Sequence, residues 1–193
     1  MTVLTRPSAD GAAAAAARFA AVAPADVHYA QIDTPIGRVV AARTERGLAR
    51  LAYEEFNGGL DAVLEQVADR LSPRILEGPA KLDDVRRELD DYFAGRRHGF
   101  DLPLDLSYVK GPFGRRILEA CARIPFGETS SYRAMAEQAG SAAAVRAAGN
   151  ALGANPIPIV VPCHRVLRTG GDLGGYTGGV ERKEHLLRLE GVL

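Results

Sequence analysis

The stretch 155–166 constrains this chain more than any other, because three prolines fix the path of its backbone. It reads Asn-Pro-Ile-Pro-Ile-Val-Val-Pro-Cys-His-Arg-Val, and its prolines exclude an ordinary helix over 156–162. The apolar residues at 159–161 predict a short buried segment. The stretch therefore presents Cys163, followed directly by His164, at the end of a rigid apolar run.

A cysteine beside a base is a candidate nucleophile, since the thiolate attacks and a histidine can take the thiol proton. The alternative for Cys163 is a buried structural cysteine, because free cysteine is among the most buried residue types. Cys121 lies on the apolar stripe of a predicted helix, and we expect it to be an inert core residue. Two cysteines are too few for a disulfide framework, and a nucleophilic thiol needs a reducing compartment, so we expect a cytoplasmic protein.

Composition divides the 193 residues into four segments. Residues 1–25 predict a disordered extension. We do not expect a signal peptide there, because alanine is weakly apolar and Arg18 interrupts the apolar run that a signal peptide would need. Residues 26–100 predict an α/β domain and 112–193 a second domain that is mainly helical. We place a linker between them over 101–111, because Gly95, Gly99, Pro103 and Gly111 give the stretch 94–111 linker character. No apolar run is long enough to span a bilayer, so we expect no membrane partner.

The first domain has the pattern of a small sheet covered by helices. Alternating apolar residues over 27–34, 37–43 and 48–53, separated by turn signals, predict an antiparallel meander. Apolar residues at helical spacing predict helices over 59–71 and 82–93. No convergent polar cluster lies in this domain, and we expect it to act as a scaffold.

The second domain has the pattern of a helix-turn-helix. Helices are predicted over 112–124, 131–139 and 142–154, the last two joined by a short turn that contains glycine. The many glycines of 170–179 predict a mobile loop or wing, and a final helix is predicted over 180–189.

One face of the helix predicted over 142–154 is almost bare. It carries Arg146, Gly149, Asn150 and Gly153 at helical spacing, and each interior glycine costs a helix about 1 kcal/mol relative to alanine. Either tight packing inside the protein or close approach of a nucleic-acid backbone accounts for the glycines. From residue 110 onward, eleven Lys and Arg stand against seven Asp and Glu, a basic bias that is weak evidence for nucleic acid by itself.

Four ordered blocks resemble the O6-alkylguanine-DNA alkyltransferase family, the methylated-DNA:protein-cysteine methyltransferases. The blocks are Ile124-Pro-Phe-Gly-Glu-Thr-Ser-Ser-Tyr132, Val145-Arg-Ala-Ala-Gly149, the stretch 155–166, and Gly175-Tyr-Thr-Gly-Gly-Val-Glu-Arg-Lys183. The resemblance implies an α/β protein with a ribonuclease H-like N-terminal domain, made of a small antiparallel sheet with helices. It implies a helical C-terminal domain with a winged helix-turn-helix.

The resemblance also implies a reaction. The family moves an alkyl group, such as methyl, from O6 of guanine in double-stranded DNA to its cysteine, with O4 of thymine as a second candidate position. The cysteine is not regenerated, no cofactor takes part, and the damaged base flips out of the duplex. We expect a monomer for which cooperative binding on DNA is left open.

Site residues follow from the resemblance position by position. Cys163 matches the alkyl acceptor, His164 the base that acts through a bound water, Glu190 the group that orients the imidazole, and Tyr132 the donor to guanine N3. The remaining matches are the DNA-binding residues Arg146, Ala147, Gly149, Asn150 and Gly153, of which Arg146 fills the gap in the base stack, and the substrate-pocket residues Asn155, Val166, Tyr176 and Thr177.

One feature departs from some members of the family, which carry an N-terminal zinc site. The first 109 residues contain no cysteine and only His28 and His98, so we predict no zinc ligands and no metal.

Two other function classes stay open: a module that recognises damaged DNA without chemistry, and a cysteine hydrolase that turns over repeatedly.

Overall fold

The computed structural model describes residues 25–193 of the chain. The predicted extension over 1–25 lies, except for Ala25, outside the described residues. Within them, we find no helix of the length and apolar character that crossing a membrane requires.

A four-stranded sheet organises the N-terminal part. Strands β1 (Val27–Ile32), β2 (Val39–Thr44) and β3 (Gly47–Tyr53) form the predicted antiparallel meander. A fourth strand, β4 (Ile75–Glu77), pairs in parallel with β1, and the strand order is β3-β2-β1-β4. The sequence did not predict β4, because three residues are too few to show an alternating pattern.

Two helices cover the faces of this sheet. Helix α1 (Leu60–Arg70) and helix α2 (Asp83–Phe93) lie within one residue of their predicted bounds. Side chains of β2 alternate between two cores: Val39 and Ala41 join the core that contains α2, and Val40 joins the core that contains α1. The sheet is therefore buried on both faces.

Four helices and a short two-stranded ladder make the C-terminal part. They are α3 (Pro112–Cys121), β5 (Ser130–Ser131), α4 (Tyr132–Gln138), α5 (Val145–Gly153), β6 (Val166–Leu167) and α6 (Val180–Leu189). Ser131 caps α4, since its hydroxyl accepts from the amide of Ala134 at 3.1 Å, as the sequence predicted. Helix α5 begins three residues later than predicted, because Ser141 and Ala144 close a turn before it.

The two parts share one continuous apolar core. We call residues 26–100 the N-terminal lobe and 112–193 the C-terminal lobe. Leu51 and Tyr92 of the first pack in the same cluster as Ile117 of the second. The connecting segment 101–111 is itself bonded to the sheet, because Leu48 of β3 donates to the carbonyl of Pro103 at 2.8 Å. The seam between the lobes is therefore packed like an interior, and the candidate site lies beside it.

Candidate active site

The stretch 155–166 crosses the interior as successive turns. Its Ile159 has φ 74°, a left-handed conformation that costs a β-branched residue on the order of 1–3 kcal/mol. The N-terminal lobe holds the stretch, since the amide of Leu51 donates to the carbonyl of Pro156 at 2.8 Å. The stretch ends in a 3₁₀ turn, Cys163–Arg165, which fixes the cysteine in position.

The thiol of Cys163 is buried and protonated at neutral pH. Only 6% of the residue is exposed, and burial raises the pKa of the thiol to about 11. One side-chain N–H of Asn155 points at the sulfur, with Nδ2 and Sγ 3.1 Å apart, and this contact opposes the rise. Because a thiolate is the nucleophilic form, Cys163 needs a partner that accepts its proton.

His164 has the protonation state of such a partner. Its Nε2 lies 2.9 Å from Oε1 of Glu190, and an ionised carboxylate only accepts hydrogen bonds. Nε2 therefore carries the ring proton, which leaves Nδ1 as an acceptor without a hydrogen-bond partner among the described residues. Burial lowers the pKa of His164 against the pull of Glu190, so the imidazole is neutral at physiological pH.

The carboxylate of Glu190 is the centre of a buried polar cluster. Arg165 donates to both of its oxygens at 2.8 Å, and Tyr92 donates to Oε1 at 2.6 Å. Burial would raise the pKa of Glu190, but hydrogen bonds from His164 and Arg165 lower it to about 2. Glu190 is therefore ionised, and Tyr92 brings a donor from the N-terminal lobe that the sequence did not predict.

A cavity of about 520 Å³ opens above the sulfur. It is lined by Tyr132, Val145, Arg146, Gly149, Asn150, Leu152, Gly153, Cys163, Arg168, Gly175, Tyr176 and Thr177. Eight of these were predicted as site residues, and they come from α4, α5, the cysteine turn and the 170–179 loop. The structure thus brings together side chains that lie up to 45 positions apart in the sequence.

The glycines of α5 are not explained by packing inside the protein. A Cβ added to Gly149 would lie 3.8 Å from the ring of Tyr132, an ordinary contact, and a Cβ added to Gly153 would meet no described atom within 4 Å. The inward residues Ala148 and Leu152 are buried as predicted. Arg146 on the outer face is exposed, which leaves that face open to a partner.

Other predicted site residues lie around the cavity. His164 and Glu190 are buried behind Cys163, and Ala147 is exposed on α5 outside the lining. The hydroxyl of Thr177 donates to the carbonyl of Gly153 at 3.0 Å and so ties the loop to the end of α5.

One predicted pocket residue, Val166, lies away from the cavity. Val166 is buried and does not line the cavity, because β6 turns its side chain into the core. Its carbonyl instead accepts from the ammonium group of Lys183 at 2.7 Å. Asn155 also lies outside the lining, but its contact with the sulfur keeps it in the site.

Lys183, like Tyr92, contributes to the site although the sequence predicted no role for it. Its Nζ also donates to the carbonyl of Leu173, and burial lowers its pKa to about 8. The positive charge favours the thiolate of Cys163. Lys183 stands in one of the four quoted blocks, but a lysine on a helix otherwise indicates a solvated surface, so only its burial identified it.

Cys121 lies in the core, as expected for a structural cysteine. It is free and buried, and burial raises the pKa of its thiol well above the ordinary value. Within residues 25–193, no group of three or more His, Cys, Asp or Glu side chains is placed to hold a metal ion.

Comparisons with known proteins agree on one family. Two family models match: "6-O-methylguanine DNA methyltransferase, ribonuclease-like domain" over 27–106, and "6-O-methylguanine DNA methyltransferase, DNA binding domain" over 112–192. The methylated-DNA–protein-cysteine methyltransferase of Mycobacterium tuberculosis is 40% identical over 164 residues, 85% of this chain and 92% of that protein. The protein of the same name from Salmonella typhimurium is 39% identical over 169 residues, 84% of this chain and 95% of that protein.

The crystal structure of the Mycobacterium tuberculosis OGT in complex with DNA superposes with a TM-score of 0.72 at 40% identity, covering 85% of this chain and 93% of that one. The two matched regions together span both lobes and the cavity between α5 and the cysteine turn. The chain therefore belongs to the 6-O-methylguanine DNA methyltransferase family.

Proposed function

We propose that this protein repairs double-stranded DNA by moving an alkyl group from O6 of guanine, with O4 of thymine as a second position, to the sulfur of Cys163. The observation that carries the proposal is the position of the sulfur. It lies at the foot of a cavity beside the open face of α5, with the His164–Glu190 pair buried behind it. Membership of the family, whose relatives bear the name methylated-DNA–protein-cysteine methyltransferase, supports the substrate class.

The transfer begins when Cys163 loses its proton. His164 accepts that proton at Nδ1 through a bridging water, while Glu190 stabilises the imidazolium that forms. The thiolate attacks the alkyl carbon, an S–C bond forms and the C–O6 bond breaks with its electron pair left on guanine. The guanine anion then takes up a proton and becomes neutral. The proton that Cys163 loses is thus matched by the proton that guanine gains.

Groups on α4 and α5 serve the flipped nucleotide. A base inside a duplex is out of reach of the sulfur, and rotating it out costs a few kcal/mol. Arg146 fills the vacated position from the minor groove, and Ala147, Gly149, Asn150 and Gly153 let the DNA backbone approach α5 closely. Tyr132 donates to guanine N3, which offsets the negative charge that develops on the leaving base.

The product is a thioether, and nothing in the proposed chemistry cleaves it, so each molecule acts once. The reaction uses no cofactor and takes place in the cytoplasm, where Cys163 stays reduced. The protein acts as a monomer on DNA. Residues 26–100 form the first domain, 101–111 the linker and 112–193 the domain that binds DNA and accepts the alkyl group.

A labelled duplex tests the proposal. Wild-type protein incubated with DNA that carries radiolabelled O6-methylguanine is expected to gain one label per molecule, on Cys163. Cys163→Ala is expected to gain none and to keep its affinity for the damaged duplex, and Cys121→Ala serves as the matched control that still gains label.

Other outcomes separate the competing functions. Lesion binding by wild-type protein without any gain in mass would favour a recognition module without chemistry. Release of free methanol over many cycles would favour a cysteine hydrolase. Label on Cys121 instead of Cys163 would refute the assignment of the acceptor.

A further inference from the structure

The loop 174–179 that closes the cavity is held by the N-terminal lobe. Tyr53, the last residue of β3, is fully buried, and its hydroxyl oxygen lies 2.9 Å from that of Tyr176. The two rings meet edge to face with centroids 6.1 Å apart. Tyr176 lines the cavity that holds Cys163, so a residue outside the cavity fixes the hydroxyl end of one of its walls.

The ring of Tyr53 is itself contacted by Arg182 and Gly178. The guanidinium carbon of Arg182 lies 5.1 Å from the ring centroid. Gly178 also approaches the ring, so closely that a Cβ there would lie 2.4 Å from a ring carbon, a distance that no side chain tolerates. Arg182 also donates to the carbonyls of Ile36 and Gly178, at 2.7 Å and 2.8 Å. We call Tyr53, Tyr176, Gly178 and Arg182 the loop latch.

The loop needs such a latch because its own sequence does not fix it. Four of the six residues over 174–179 are glycines, which lose more backbone entropy on ordering than other residues do. The bond from Thr177 to Gly153 ties the loop to the end of α5. The Tyr176 ring also meets His164 edge to face, with centroids 6.4 Å apart. Movement of Tyr176 therefore changes both the cavity wall and the surroundings of the base.

We propose that Tyr53 is a positioning residue that sets the size of the alkyl group that the cavity accepts, by holding the hydroxyl of Tyr176 across the seam between the lobes. The inference rests on the proposed alkyl transfer to Cys163. A methyl group reaches the sulfur in a productive geometry only when Tyr176 lies close to the bound alkyl group. A benzyl group, in contrast, fills a wider cavity by its own contacts.

Tyr53→Phe isolates the hydroxyl, because the ring that Arg182 and Gly178 contact is retained. The loss leaves the Tyr176 hydroxyl without its partner. We expect the single-turnover rate on a duplex with O6-methylguanine to fall about three- to tenfold, as for one lost hydrogen bond. The rate on a duplex with O6-benzylguanine is expected to change less, so that the benzyl-to-methyl ratio rises, while the Kd for undamaged duplex is unchanged.

Three further variants sharpen the test. Tyr176→Phe removes the same hydrogen bond from the other side and is expected to raise the ratio too, and the double variant is expected to be less impaired than the two single effects predict together. Tyr108→Phe, which removes a hydroxyl that donates to the carbonyl of Gln66 at 3.4 Å, is the control and is expected to keep the wild-type ratio.

An equal loss on both substrates, or an unchanged ratio accompanied only by a lower Tm, would overturn the inference and leave Tyr53 a structural residue. Strict additivity of Tyr53→Phe and Tyr176→Phe would also overturn it. Failure of the wild-type protein to transfer either group to Cys163 would overturn the proposed function and this inference with it. Every other result in this paragraph leaves the proposed function intact.

Discussion

At the scale of single residues, the site solves the problem of a buried thiol that has to ionise. Burial disfavours the thiolate of Cys163, and it also lowers the pKa of His164, so both groups are neutral before the reaction. In the proposed reaction, proton transfer between them creates a thiolate and an imidazolium together. The ionised Glu190, the Lys183 ammonium and the Asn155 amide are each placed to stabilise one of these charges.

Asn155→Ala tests this balance, because it removes the donor to the sulfur without touching the cavity wall. The Asn155 side chain also donates to Val161 O at 2.8 Å and accepts from Ile157 N at 3.0 Å, so some loss of rigidity accompanies the change. We expect alkyl transfer to slow about 10- to 100-fold, as for loss of one donor to a charge that develops during reaction. Single-turnover rates measured across pH report this.

The control for Asn155→Ala is DNA affinity. The same substitution in a Cys163→Ala background is expected to leave the Kd for a damaged duplex within twofold of the parent, as measured by fluorescence anisotropy. A comparable loss of affinity would mean that Asn155 acts in docking and not on the sulfur.

At the scale of elements, α5 separates two tasks by its two faces. Ala148 and Leu152 pack inward, and the outer face offers Arg146 between positions with small or no side chains. The sequence predicted these faces from helical spacing alone. It did not decide between internal packing and an external partner, because that choice depends on what stands opposite each glycine in space.

Arg146→Ala is expected to slow repair of a duplex far more than reaction with free O6-benzylguanine. In the proposed role, the Arg146 side chain offsets part of the few kcal/mol that extrusion costs, and its loss leaves that cost uncompensated, so we expect a 10- to 100-fold loss on duplex. Free base needs no extrusion and is expected to react within about twofold of wild type. Arg87→Ala removes an equal charge from an exposed site on α2 and is the matched control, and equal losses on both substrates would refute the extrusion role.

Helix α2 reaches the site through a single hydroxyl. Tyr92→Phe removes one hydrogen-bond donor from Oε1 of Glu190. Because this oxygen then carries more unshared negative charge, it stabilises the His164 imidazolium more strongly, and the pKa of His164 rises. Because the proposed reaction needs neutral imidazole, we expect the acid limb of the pH–rate profile to move to higher pH.

Single-turnover rates from pH 5 to 9 measure the position of that limb in Tyr92→Phe. Tyr108→Phe, which removes a hydroxyl remote from Glu190, is expected to keep the wild-type limb. A profile of Tyr92→Phe with a lower amplitude but the wild-type inflection would contradict an effect through His164.

At the scale of the whole molecule, stability and chemistry depend on the same buried cluster. Glu190 and Arg165 form an ion pair inside the core that the lobes share. Removal of one partner of a buried ion pair lowers the free energy of unfolding by about 3–5 kcal/mol, because the other charge stays buried without compensation. The acid that orients His164 therefore also joins the lobes through Tyr92.

Acid is expected to destabilise the fold through Glu190. Its pKa falls from 4.5 to about 2 on folding, so the stabilisation is complete above about pH 4.5 and is lost as pH drops toward 2. The free energy of unfolding is expected to fall by on the order of 3 kcal/mol from this group over that range. Urea unfolding at a series of pH values measures it.

Glu190→Gln is expected to be less stable at pH 7 and to show a flatter decline below pH 4.5. Glu184→Gln, an exposed carboxylate on the same helix, is expected to keep the wild-type slope. An identical slope in Glu190→Gln and wild type would show that other carboxylates account for the acid sensitivity.

The sequence by itself determined the elements and the local chemistry. Alternation predicted the three-stranded meander and helical spacing predicted most of the helices, because these patterns are local and repeat at a fixed period. The four ordered blocks, one of which contains Pro-Cys-His-Arg, made Cys163 and His164 the candidate acceptor and base. Only the tertiary structure decided which distant groups meet the sulfur. Tyr92, 98 positions from Glu190, and Tyr53, 123 positions from Tyr176, look like ordinary apolar residues in sequence, because their role lies in hydroxyl contacts that exist only after the lobes pack.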